Sequence, residues 1–315
     1  MRTSCFIAFV LILATSWPPA PGAVQEPPQA IFRSAVNLVS MAAIVRDGRG
    51  RVVSQLTRED FEVTDNGRRR PVLNLRTESA APASVALLVD GSGSLKASGS
   101  VEAALRVSNA VLGSLEPQRD DAALYSFDTR LITVRSFTQD LKEVSGALDE
   151  VESWGSTSLY DAIAGTAAIV SKRTANRRAV VVVTAGADTT RAYGPTKVAE
   201  IAAAVDVPVY VVIWDSRNPE SRSAFEQERL VVLASLAEGS GGELFVARDH
   251  ATMTKAITKL LEELRHQYLL AFEAAPNGGW RSVQVRTKKR GLQVRTRAWY
   301  LAGADLTTSA SRPPG

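Results

Sequence analysis

Between residues 81 and 265 short, continuous apolar runs alternate with windows of helical period, and few folds accommodate that rhythm. The apolar runs are 85–89, 122–127, 179–184, 207–214 and 243–246; the helical windows are 100–115, 140–152, 159–172, 195–205, 222–238 and 251–265. A strand that is apolar on both sides is buried on both, and a helix between two such strands carries the chain back so that they run parallel. The expectation is a doubly wound α/β domain, a mostly parallel sheet with helices on both faces. In such a sheet the ligand site lies at the carboxyl ends of the strands.

The segments on either side have a different period. After prolines at 27 and 28, residues 35–46 read as a strand ending in the turn Asp47-Gly48-Arg49-Gly50. Phe61 and Val63, the Asp65-Asn66-Gly67 turn, Val72 and Leu75 continue a β pattern up to the linker at 80–83. Residues 267–272, 281–288 and 292–299 return to strands, with Arg290-Gly291 as a tight turn. Strands without partners leave exposed edges, so the two β segments are expected to pair with each other. The domain expectation is a signal peptide at 1–23, an N-terminal β segment at 24–80 and the α/β domain at 81–265. A C-terminal β segment at 266–302 packs with 30–80 into a small β-sandwich, and 303–315 form a disordered tail.

Arg2, the apolar run 6–14 and the breakers Trp17, Pro18 and Pro19 have a signal-peptide layout, with small residues at 20, 22 and 23 offering a cleavage site. The run is shorter than the roughly 20 residues that span a bilayer. The expected location is periplasmic or extracellular, with the membrane involved only through export. Cys5, the one cysteine of the chain, lies inside the leader. The mature protein therefore has no disulfide, thiolate metal site or cysteine nucleophile. Without Arg2 the 36 remaining basic residues exceed the 33 acidic ones by three. The clusters Arg68-Arg69-Arg70 and Lys288-Lys289-Arg290 have no aromatic stripe beside them and read as solvated turns, so nucleic acid is not an expected partner.

The loop after the first α/β strand is Asp90-Gly91-Ser92-Gly93-Ser94. A dinucleotide fingerprint would need glycine where Lys96 stands, and neither a P-loop nor a nucleophile elbow fits the spacing. What remains is a glycine-serine turn or a hard-oxygen site, in which a carboxylate and alternate hydroxyls suit Mg²⁺ or Mn²⁺ better than zinc or copper.

The stretch 85–94, VALLVDGSGS, resembles the first strand and DxSxS motif of von Willebrand factor type A domains. Trp154-Gly155-Ser156-Thr157-Ser158-Leu159-Tyr160-Asp161-Ala162-Ile163 is similar to that family's GGTxLxDAI segment. The resemblance implies a metal-ion-dependent adhesion site in which Asp90, Ser92, Ser94 and Thr157 hold Mg²⁺, with Mn²⁺ or Ca²⁺ as alternates. The third loop departs from the pattern: Thr184-Ala185-Gly186-Ala187-Asp188 stands where the family commonly has Thr-Asp-Gly. Ala185 replaces the expected aspartate, and Asp188 is the nearby substitute. The segments 56–63 (LTREDFEV) and 267–270 (QYLL) resemble flanking motifs of exported bacterial relatives of these domains.

The chain thus reads as a non-enzymatic binding protein whose partner is a protein presenting an acidic side chain to the metal. A metal-independent scaffold module and a secreted hydrolase are the alternatives. The hydrolase lacks an evident activator for Ser92 or Ser94, since His250 and His266 read as surface residues. Trp154, Tyr193 and Trp214 are candidates for an exposed contact surface near the loop ends, and Trp214 is equally a candidate for the core.

Overall fold

Valine and alanine fill the central strands, where β-branched side chains fit a pleated surface covered on both faces. The computed structural model describes residues 38–77, 81–91, 100–151, 156–175, 177–186, 194–217 and 219–302. The expected signal peptide and tail lie outside them.

The α/β part is built on β5 (Ala83–Asp90), β6 (Asp121–Phe127), β7 (Leu131–Thr138), β8 (Arg177–Thr184), β9 (Val209–Trp214) and β10 (Leu244–Ala247). They form one sheet in the order β10-β9-β8-β5-β6-β7, parallel except for the β6 and β7 pair. The helices are α1 (Ser100–Ser114), α2 (Leu141–Gly146), α3 (Leu159–Val170), α4 (Pro195–Val205), α5 (Ala224–Ser240) and α6 (His250–Arg265).

Alternation along the strands sorts the core into two layers. Val85, Leu87, Val181, Val183 and Val212 pack with Val107 and Val111 of α1 and with Met253 and Leu260 of α6. Leu88, Val180, Val182 and Val211 pack with Ile163 of α3, Val198 of α4 and Leu236 of α5. Each of these large side chains contributes on the order of 1.5–3 kcal/mol through burial, so the sheet is a rigid platform for the loops at its ends.

The α/β expectation holds, with differences at its edge. Residues 131–138 form the antiparallel edge strand β7, which the apolar-run pattern misses. The helical window at 140–152 is a short α2 followed by a 3-10 turn at Ala147–Glu150.

The flanking segments contribute β1 (Leu38–Asp47), β2 (Phe61–Asp65), β3 (Arg68–Arg70), β4 (Val72–Arg76), β11 (Tyr268–Glu273), β12 (Gly279–Thr287), β13 (Leu292–Arg295) and β14 (Trp299–Ala302). They form two four-stranded sheets, in the orders β13-β1-β11-β4 and β14-β12-β2-β3, and each sheet draws strands from both ends of the chain. One apolar cluster is shared by the two sheets: Met41, Val45, Leu270 and Phe272 from the first, Val63, Val283 and Tyr300 from the second. The edge-to-face pairs Phe61 with Tyr268 (centroids 5.2 Å) and Phe272 with Tyr300 (5.6 Å) cross it.

Two expectations are corrected here. Arg68, Arg69 and Arg70 are a strand rather than a turn, and Arg70 Nε donates to the buried Asp65 at 3.1 Å. The strand expected at 292–299 breaks after Arg295. There Arg297 turns inward, its guanidinium donating to the carbonyl of Ser40 at 2.7 Å and to that of Ala203, and β14 then joins the other sheet.

Candidate functional site

The described candidate residues lie by the carboxyl ends of β5, β6 and β8. β5 ends in Asp90, which pairs in register with Phe127, the last residue of β6. Gly91 N donates to Phe127 O at 2.8 Å, and one residue further Asp128 O accepts from Ser158 N at 2.7 Å. These two bonds bring the Thr157-Ser158 turn onto the strand end next to Asp90. Both Asp90 and Thr157 are buried. Ser158 precedes α3, whose first turn carries Asp161, where a carboxylate complements the exposed N–H groups.

The third loop is tied to the first through a residue that motif reading left unassigned. Thr184, the last residue of β8, donates its Oγ1 proton to Asp90 Oδ2 at 2.7 Å and accepts from Gly186 N at 2.9 Å. The buried hydroxyl therefore fixes the rotation of the Asp90 carboxylate and the course of the loop together. Gly186 has φ +80°, and a Cβ there would stand 3.1 Å from Ile213 Cδ1. Glycine suits this position on both counts. Ala185 places a methyl where the resemblance expects a carboxylate.

Asp90 and Thr157 are thus brought to one sheet edge, while Ser92, Ser94 and Asp188 lie outside the described residues, as do Trp154 and Tyr193. The donor chemistry of the described pair, a carboxylate and a hydroxyl oxygen, fits a hard divalent cation. Among the described residues no cluster of three or more histidine, cysteine, aspartate or glutamate side chains forms an alternative metal site.

The two histidines lie at opposite ends of α6. His250 is exposed at the start of α6, its ring 5.9 Å from that of half-buried Trp214 and its Nδ1 2.7 Å from Arg106 Nη1. His266 caps the other end of this 16-residue helix, about 24 Å away along the axis.

Beyond Ala185 the edge continues into charged side chains at the end of β9. Asp215 accepts from Arg217 Nε at 2.8 Å and from Arg222 Nε at 3.0 Å. Burial opposes ionisation of Asp215, but these hydrogen bonds outweigh it and hold the carboxyl at about 2. The hydrogen bond from Arg217, joined by those from Ser223, likewise holds Glu226 at about 2.

A mostly parallel, doubly wound sheet that carries a buried aspartate at the end of its central strand β5 belongs to the class of α/β modules that bind ligands at the carboxyl edge. Residues 85–187, about a third of the chain, match the family model for the von Willebrand factor type A domain. Among solved structures, a von Willebrand factor type A protein from Catenulispora acidiphila is similar at 13% identity, covering 86% of this chain and 74% of that one, with a TM-score of 0.48. BatB from Bacteroides thetaiotaomicron is 16% identical over 57% of this chain and 98% of its own, with a TM-score of 0.47. A mutant of the PilB minor pilin from Streptococcus sanguinis is 13% identical over 63% of this chain, with a TM-score of 0.47, and the likeness spans 64% of the pilin chain. No curated protein sequence matches. No helix among the described residues is long and apolar enough to cross a membrane.

Proposed function

We propose that this chain is an exported, non-enzymatic binding protein that grips a protein partner at the carboxyl edge of its α/β sheet, through a metal-ion-dependent adhesion site. The observation that supports it is that Asp90 ends β5 beside Phe127, that the next residue, Asp128, accepts from Ser158 N in the segment carrying Thr157, and that Thr184 donates to the Asp90 carboxylate. Domains of this family generally serve as interaction modules, and the leader-like first 23 residues fit export.

Asp90, Ser92, Ser94 and Thr157 would hold Mg²⁺, Mn²⁺ or Ca²⁺, with Asp188 as a further candidate from the third loop. The bound cation would supply electrostatic attraction for an acidic side chain of the partner. The protein's own part is to hold the oxygens in place before the partner arrives, which lowers the ordering cost of association. No bond is broken in this account.

A second reading, a scaffold module that binds without metal, draws support from one feature. Arg229 Nη2 lies 3.5 Å from the carbonyl of Ala185, so a cation stands beside the position where the family has an anion.

Capture by the immobilised full chain from an exported-protein fraction separates the two readings. Capture that needs Mg²⁺, is released by chelator and is lost in Asp90→Asn supports the metal-dependent site. Capture that persists in chelator at undiminished strength would overturn it in favour of the scaffold module.

A further inference from the structure

Next to the third loop is a cavity of about 230 Å³ whose walls include Ala185, Trp214, Asp215, Arg217, Arg222 and Arg229. That is room for a polar group several times the size of a water, whose share of liquid volume is about 30 Å³. Its charges do not balance. Asp215 and Glu226 are both held anionic by Arg217, and Asp215 also accepts from Arg222. Arg229 has no carboxylate partner among the described residues. Among the described residues three guanidinium groups therefore face two carboxylates, leaving one positive charge over.

Nor are the hydrogen-bond donors satisfied. The Arg222 side chain is only 5% exposed, and among the described residues its buried Nη2 has no acceptor, nor has the buried Arg229 Nε. Buried donors normally have partners. Because both nitrogens are buried, a guest in the cavity reaches them only as the arginine side chains turn toward it, and a water there would leave the charge uncompensated. A dianionic phosphate would overshoot the single excess charge and lie against Asp215 and Glu226. A carboxylate matches the charge and offers two acceptor oxygens to guanidinium forks.

We propose that this cavity is a recognition site for a carboxylate, the aspartate or glutamate side chain of a protein partner, held by Arg222 and Arg229. The site needs no cation; it shares with the adhesion reading above only the chemistry of the guest. Its position beside Ala185 gives the alanine a role: an aspartate there would place a carboxylate against Arg229 and fill the site from within.

The test is an NMR titration of the ¹⁵N-labelled full chain in chelator, following the arginine Nε–Hε signals, with N-acetylglutamate methylamide as probe. N-acetylglutamine methylamide and inorganic phosphate are the comparison ligands. The Arg222 and Arg229 signals should shift saturably with the glutamate compound, with the glutamine compound inert and phosphate weaker. Arg229→Gln should weaken binding about tenfold, the loss of one charge-assisted contact, and Arg229→Lys should fall between. A thermal melt of each variant verifies its fold. Absence of shifts, equal response to glutamine, tighter binding of phosphate, or undiminished affinity in both folded variants would overturn the assignment. Because chelator is present throughout, failure here is separate from failure of the metal site.

Discussion

Thr184 joins two loops with one hydroxyl, and removing it should be felt in both. Thr184→Val leaves Asp90 Oδ2 without this donor and Gly186 N without its acceptor. Replacing a buried hydrogen-bonding group in this way costs on the order of 1–3 kcal/mol. The urea unfolding midpoint should drop accordingly, with Thr184→Ser clearly milder; equal midpoints for the valine variant and the parent would contradict the role given to the hydroxyl.

Acid should act at the end of β9. The folded carboxyl of Asp215 lies below its unfolded value of 3.8, so its contribution is complete above about pH 4 and disappears as pH falls toward 2. Glu226 follows the same direction. The melting temperature should therefore fall across that window, and Arg217→Ala should flatten the fall. An unchanged acid limb in the variant would count against the account.

At this scale the positions of Asp90 at the end of β5 and of Thr157 just before α3 were legible, because the motifs around them have specific spacing. Thr184 was not, since a threonine ending a valine strand reads as an ordinary β-former. Arg229 was hidden for a similar reason, as an arginine on a helix usually reads as solvated.

At the scale of elements, the central strands were readable because burial on both faces leaves continuous apolar runs. The edge strand β7 escaped because its sequence, LITVRSFT, is covered on fewer sides and carries Arg135, which pairs with Glu143 and Glu150 at 3.2 and 3.3 Å. The break after β13 escaped because nothing in the alternation of 292–299 signals that Arg297 is pulled inward.

Two glycines provide opposite tests of element packing. A Cβ on Gly242 would stand 2.0 Å from Val209 O, a backbone atom, where β10 is led in beside β9. Gly242→Ala should lower the melting temperature steeply, by more than the typical point-mutant cost of about 1 kcal/mol. Gly113, on the exposed face of α1, has nothing within 4 Å of a built Cβ. Gly113→Ala should stabilise by up to about 1 kcal/mol through helix propensity. A tolerated Gly242→Ala would show that the β9 to β10 approach is looser than described.

Over the whole molecule, the β sheets and the α/β layer are tied by buried charge. Glu263 of α6 is fully buried and accepts from Arg46 of β1 at 3.1 and 2.6 Å and from Arg295 of β13. Burial pushes its carboxyl up against the pull of the two arginines. Arg297 adds a second tie, donating to Ser40 O of β1 at 2.7 Å and to Ala203 O of α4. Removing one partner of such a buried cluster strands the others, so Glu263→Ala should cost about 3–5 kcal/mol. Far-ultraviolet dichroism and tryptophan fluorescence should then report one coincident melt for the parent chain. Two separated transitions would mean that the ties do not couple the layers.

The central claim is that the carboxyl edge holds a hard cation on Asp90 and its neighbours. It is most directly tested by calorimetric titration of Mg²⁺ and Mn²⁺ into the full chain and into Asp90→Asn, a variant that keeps an acceptor for Thr184. The account predicts saturable one-site binding by the parent and none by the folded variant; a folded parent that ignores both ions at millimolar concentration, or equal binding by the two proteins, would contradict it.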